Sequence, residues 1–315
     1  MRSFFYLPIL LLLAGCGPEN YKFNIIVTEV AVNLGDLNSA YDDFNSNLPY
    51  PAERSEIWFS SNRNSLGGEF DIVGGWLDFS YHEDHNILEL NTGDEEYTSP
   101  ALLPKVNSTH NELGPFSFLT GEDMLFLYAT DPGDVYEIRF AELTRWNYGS
   151  GQTVSDPVAV AGLNQGGDNL YPYIDEGNRK IYFCSNRDGL SFNIYSAQYN
   201  SIISKESLLD GDIVEITKEE ILSGTFDDKC PYMYGDFMVF ASNRDGNYDL
   251  WYAQKYNDTW LDPIKLGPNI NTPYNEFRPV LFQVLGMDLM VFSSDRPGGK
   301  GGYDLYIVKI GNYLN

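Results

Sequence analysis

The stretch from Val239 to Gln254, VFASNRDGNYDLWYAQ, comes back as IYFCSNRDGLSFNIYSAQ over 181 to 198. In both, alternating apolar side chains bracket Asn-Arg-Asp-Gly, which is turn chemistry between two strands, so each copy predicts a β-hairpin. A lone hairpin cannot bury its apolar face. Recurrence therefore predicts a repeat architecture in which neighbouring copies supply the core.

Five copies align on Ser/Thr-Asn/Asp-Arg: Ser61-Asn62-Arg63, a degenerate Thr130-Asp131-Pro132, Ser185-Asn186-Arg187, Ser242-Asn243-Arg244 and Ser294-Asp295-Arg296. An aromatic stands two residues ahead of each (Phe59, Tyr128, Phe183, Phe240, Phe292), and an aromatic, a polar residue and Ile or Leu follow, as in Tyr248-Asp249-Leu250. Upstream lies a polar loop, again fivefold, opening at Asn38, Asn107, Asn164, Ser223 and Asn271; in four copies Pro115, Pro172, Pro231 and Pro279 come soon after. Units of roughly 50 to 70 residues with three or four short strands predict propeller blades.

The last copy ends at Ile310 without the segment that leads into a next loop. FNIIVTEVAVN, from Phe23 to Asn33, is spare at the N-terminus. A first strand that completes the last blade removes two open sheet edges, so the expectation is an all-β, five-bladed β-propeller closed by its N-terminal strand. LGPNINTPYNEFRP and SSDRPGGKGGYDLYIV resemble the TolB-type propeller repeats of Bacteroidetes outer-membrane lipoproteins. That resemblance implies a binding platform in the cell envelope. Some relatives add an OmpA-like domain at the C-terminus, which this sequence does not contain.

The first residues form a different object: Arg2, an apolar run from Phe4 to Leu13, then Leu-Ala-Gly-Cys. They read as a secretory signal with a lipobox, too short to span a membrane. The expected organisation is a signal peptide over 1–15, a lipidated Cys16 with a short tether over 16–21, and one propeller domain over 22–315. Such an anchor implies the outer membrane, on its periplasmic or cell-surface face. Forty-five acids against 20 bases, a formal charge of −25, repel phosphate backbones and exclude nucleic acid as a partner. Cys184 and Cys230 either pair or stay as buried thiols; spacing does not decide between them.

Candidate chemistry is sparse. His82-Glu83-Asp84-His85 has ligand-type residues but no framework to aim both rings, so no metal is expected, nor any cofactor. No Gly-x-Ser-x-Gly elbow is present. Propeller glycosidases use carboxylates that occur once, whereas the conspicuous acids here recur in every blade, which favours a structural role. The Arg of each hairpin and the acid or Asn of the following strand (Asp71, Asn193, Asp249, Asp304) read as partners of one another. Trp76, Trp146 and Trp260 are open to two readings, stacking on a ligand or capping a blade edge.

Two columns of the entry loops form a collar at one rim of the channel: Asp42, Asn111, Asp168, Asp227 and Asn275, then Asp43, Glu112, Asn169, Asp228 and Glu276. Such residues at a strand entrance accept backbone N–H bonds and pin the blade. Alternatively they focus a negative potential on a cation or a basic segment of a partner. The expected function is a non-enzymatic lipoprotein platform for an outer-membrane or periplasmic protein partner. A glycan-binding accessory lipoprotein and a propeller glycosidase are the alternatives.

Overall fold

The computed structural model describes residues 25–94, 101–145, 151–175, 177, 179–189 and 191–311. The leader, Cys16 and Trp146 lie outside them. Five antiparallel sheets follow one another along the chain, each begun by an innermost strand: Asp43–Asn47, Glu112–Thr120, Asn169–Asp175, Asp228–Tyr234 and Glu276–Val284. These are the five blades, and the fivefold hairpin of the sequence is the second and third strand of each. In blade 4, Phe237–Ser242 pairs with Asp249–Tyr256 across the Asn-Arg-Asp-Gly turn. Apolar residues of facing sheets meet between blades: Ile57 and Phe59 of blade 1 pack with Val291 and Ile307 of blade 5.

The N-terminal segment closes the ring, but by a split route. Ile25–Val27 pairs with the outer strand of blade 1, Ile25 opposite Leu90. The chain then crosses, and only Val32–Asn33 adds to blade 5, Val32 opposite Ile307. The expectation of one strand completing the last blade is thus corrected to two short ones that join the first blade to the fifth. The reason lies in the long hairpin Asp71–His82 and Ile87–Gly93 of blade 1, whose outer strand would otherwise leave Leu88 and Leu90 uncovered. The glycine-rich tip of blade 5 completes the joint. A Cβ on Gly301 would stand 1.7 Å from the Tyr41 carbonyl oxygen of blade 1, so only glycine fits that approach.

Every innermost strand carries the same irregularity. Its register shifts after the second residue, and the residue at the shift adopts positive φ: Asn45 (59°), Gly114 (60°), Tyr171 (56°), Cys230 (56°) and Arg278 (48°). A β-bulge releases the next residue from the ladder, which is why proline follows in four blades without losing a hydrogen bond. Four of the five residues are not glycine and hold a costly conformation. What they gain is contact across the axis. Arg278 Nη2 donates to the Pro115 carbonyl at 2.9 Å, Asn45 Nδ2 to the Tyr171 hydroxyl at 3.5 Å, and a Cβ at position 114 would lie 2.4 Å from the Tyr171 ring. The channel is therefore closed at this level and has two separate mouths.

A chain starting at residue 36 lacks both N-terminal strands, reopening an edge on each of two blades. It should melt cooperatively at least 10 °C below the full domain in calorimetry, an order of magnitude set by a loss of several kcal/mol. An unchanged transition would contradict closure by this segment.

Candidate functional site

The entry-loop collar is where the sequence places a site, and the structure shows what each column does. Asn38, Asn107, Asn164 and Asn271 stand in for a strand. Asn107 Oδ1 accepts the Ile72 N–H at 2.8 Å while its Nδ2 donates to the Ile72 carbonyl at 2.9 Å, so one amide side chain pairs with the neighbouring blade as a peptide unit would. Asn38 does the same to Leu305, Asn164 to Ile138, Asn271 to Leu250, and Ser223 repeats it on Ile194 with its hydroxyl.

The next column adds a second clamp. Asp42, Asn111, Asp168, Asp227 and Asn275 accept the backbone N–H of Tyr303, Phe70, Tyr136, Phe192 and Tyr248, at 2.8 to 3.0 Å. Their own N–H goes to the hairpin residue of the same blade: Asn62, Asp131, Asn186, Asn243 and Asp295. In every blade one member of the pair is an acid and the other an amide. Where the loop residue is Asn, as at 111 and 275, the hairpin residue is Asp. The amide donates to the acid in both orders, at 2.8 Å for Asn111 to Asp131 and 2.9 Å for Asn186 to Asp168.

The inner column is buried. Asp43, Asp228 and Glu276 each receive the hairpin arginine of their own blade, Arg63, Arg244 and Arg296, at 2.6, 2.6 and 3.0 Å; Arg187 meets Asn169 at 2.7 Å. Each guanidinium also lies about 5 Å over the aromatic two residues ahead of the Ser, Phe59, Phe183, Phe240 or Phe292. The arginines thus pair with the collar acids rather than with Asp71, Asn193, Asp249 and Asp304. Those four have mixed local roles, such as Asp249 to Lys265 at 2.7 Å. Blade 2 is the exception. Pro132 occupies the arginine position, Glu112 keeps only Ser108 and Thr130 as partners, and burial pushes its carboxyl up to about 7.

Most of the collar oxygens are thus engaged, as blade clamps, by backbone N–H groups, side-chain amides and arginines, while Asp228 Oδ2 has no partner and Asn169 also lines a cavity of about 380 Å³ with Tyr136 and Glu137. Cys184 and Cys230 are buried free thiols. His82 pairs with Glu89 at 3.0 Å, and no metal-type cluster occurs among the described residues. Trp260 is core, its Nε1 donating to Glu219 at 3.0 Å, and Trp76 has Arg54 over its ring at 5.5 Å.

The opposite mouth, where the innermost strands end, has open space. A cavity of about 370 Å³ is lined by Asn47, Phe116, Ser117, Tyr173, Asp175 and Tyr232, among others from blades 1 to 4. Phe116, Tyr173 and Tyr232 form a run of rings with centroids 4.9 and 4.8 Å apart. Asn47 Nδ2 donates to the Ser117 hydroxyl at 2.8 Å. A second cavity of about 340 Å³ shares the lining residue Gly235 with it and is lined also by Tyr234, Asp236, Phe237 and Asp288. Asp288 accepts from the Tyr234 hydroxyl and, at 3.1 Å, from Gln283. Asp175 of blade 3 thus stands on the first aromatic-walled cavity, and Asp236 and Asp288 of blades 4 and 5 stand on the second. Aromatic faces beside amide, hydroxyl and carboxylate groups suit a sugar ring, and a pair of carboxyl groups is what glycosidic bond cleavage needs.

No protein family and no curated protein matches the sequence. Solved structures do. The chain is similar to an endo-arabinase from Bacteroides thetaiotaomicron (13% identity, 91% of this chain and 98% of that one, TM-score 0.55). It is similar also to the catalytic domain of a GH62 α-L-arabinofuranosidase from Coprinopsis cinerea (9%, 92% and 98%, 0.58). A third is a GH43_1 enzyme from Xanthomonas citri complexed with xylose (9%, 90% and 90%, 0.53). At these identities the likeness establishes the fold, the five-bladed propeller. It also corrects the kinship read from the repeats: the neighbours are glycoside hydrolases rather than TolB-type lipoproteins. The expectation of a non-enzymatic protein-binding platform falls with it.

The acid–amide pairing gives a direct check of the clamp. Asn111→Asp puts two carboxylates face to face against Asp131 and should cost about 1–3 kcal/mol in denaturant unfolding. Asn111→Asp combined with Asp131→Asn restores the order seen in blade 3 and should recover most of that loss. No recovery in the double variant would contradict the pairing.

Proposed function

We propose that this chain is a glycoside hydrolase whose substrate sits at the mouth where the innermost strands end. The observation that carries the proposal is the placement of Asp175, Asp236 and Asp288, from three different blades, on two aromatic-walled cavities that share Gly235. Asp175 stands where blades 2, 4 and 5 have Phe118, Tyr234 and Phe282, so no acid recurs at its place, whereas Asp236 and Asp288 share one column, six residues ahead of Ser242 and Ser294. The fold shared with arabinose- and xylose-directed enzymes supports a pentose-containing glycan as the substrate class. The leader and Cys16 add, from sequence alone, an envelope location with a lipid anchor.

The roles follow from the reaction. One carboxylic acid protonates the leaving oxygen while a second carboxylate activates water or attacks the anomeric carbon, through an oxocarbenium-like transition state. Asp288, fixed by Tyr234 and Gln283, is the positioned member. Asp175, two residues after Tyr173 in the same strand, lines the cavity that holds the run of rings. Tyr173 is itself held, its hydroxyl donating to the Met233 carbonyl at 3.1 Å, so its ring presents a fixed face.

The purified domain should release reducing ends from arabino- or xylo-oligosaccharides. Asp175→Asn and Asp288→Asn should each lower kcat by roughly 100-fold or more, the share carried by an acid–base group, while the melting temperature and oligosaccharide binding persist. Equal rates in both variants and wild type, or no turnover of any such glycan, would overturn the proposal.

A further inference from the structure

Among the described residues, the propeller axis carries a positive charge that no carboxylate answers; its one charge-facing contact is the Tyr171 ring, 5.7 Å below the Arg278 guanidinium. Arg278 is fully buried, and apart from the bond from Nη2 to Pro115 its Nε and Nη1 have no protein partner. A guanidinium does not lose its proton in a protein, so the charge remains at any working pH. The titratable groups that face it are Tyr171, Tyr232, Cys184 and Cys230, from blades 3 and 4. Burial raises the two thiols and both phenols, Cys184 and Tyr232 to about 12, so all four are neutral near pH 7. None is a carboxylate. The inner acids of its own blade and of the blade before it are paired, Glu276 with Arg296 and Asp228 with Arg244.

Water can satisfy an N–H but not a net charge, and an isolated buried ion costs far more than an unmade hydrogen bond. A cation on this axis is excluded by the same charge. Evolution of the strand around Arg278 does not explain the residue either, because its left-handed backbone would be served better by glycine, as in blade 2. We propose that Arg278 holds a small monovalent anion on the propeller axis through Nε and Nη1, chloride being the abundant one. Asn45 Oδ1, also without a partner, requires a donor and so a water beside the anion. The site lies at the level of the five bulges, between the two mouths, and fixes the blades to one another from within. It does not depend on what the cavity mouth binds.

The test uses the whole domain, refolded from denaturant into bromide so that a buried site exchanges, then crystallised and measured at the bromine absorption edge. One anomalous peak within hydrogen-bonding reach of Arg278 Nε or Nη1 is expected. In solution, replacing gluconate by chloride at constant ionic strength should raise the melting temperature by roughly 2–3 °C per tenfold above the dissociation constant. Arg278→Met should abolish that rise. Axial density with no bromine signal, or a melting temperature indifferent to chloride, would overturn the site. If Arg278→Met does not fold, the bromine signal in the wild-type protein decides alone.

Discussion

A side chain that replaces a strand is the interaction on which the ring depends. Neighbouring blades of a propeller pack face to face and share no continuous ladder, so the polar backbone at each blade's rim needs partners from elsewhere. Here an amide at the start of every entry loop, or the Ser223 hydroxyl, bonds both the N–H and the carbonyl of one residue in the preceding blade. The next residue but three adds a further N–H bond. Because the clamp always reaches backward, blade 1 clamps blade 5 with the groups used everywhere else, and Val32–Asn33 need add only a short strand to finish the closure.

Once the clamps are in place, the rim is committed. Three of its inner acids, Asp43, Asp228 and Glu276, are buried against arginines that themselves lie on aromatic rings, and each arginine also donates to a loop carbonyl, such as Leu222 for Arg244 at 2.9 Å. A carboxylate so engaged is not free to move protons. The bulges close the axis below, so nothing at the rim reaches the far mouth. There the strands have passed beyond the repeat's constraints, and side chains at equivalent positions differ: Asp175 corresponds to Phe118 in blade 2 and Phe282 in blade 5. That freedom is where a single site can be built.

The fold was legible because every blade has to solve the same problem with the same residues. The hairpins, the entry loops and the aromatic column were readable as repeats, and the acid–amide alternation between Asn111 and Asp131 or Asp168 and Asn186 was visible in the same alignment. The bulges left a trace only in the four prolines. The N-terminal crossing was half legible: the alternating pattern marked strands, but not that Ile25–Val27 would serve blade 1. The arginines were assigned to the wrong acids because two polar columns flank each hairpin and spacing does not say which lies inward. Asp175 was invisible for the opposite reason: a residue without counterparts has no column. Asp236 and Asp288 share a column of their own, six residues ahead of Ser242 and Ser294, and spacing did not say that it lies at the far mouth.

The account's central claim is that the rim is structural and the far mouth receives the glycan. Hydroxyl-radical footprinting with and without a bound arabino- or xylo-oligosaccharide compares the two directly, since both carry oxidisable rings: Tyr173, Tyr232 and Phe237 at the far mouth, Tyr41, Phe226 and Tyr274 at the rim. Protection of the first three with the rim rings unchanged is the predicted result. Protection of Tyr41, Phe226 and Tyr274 with the far mouth unchanged would contradict it.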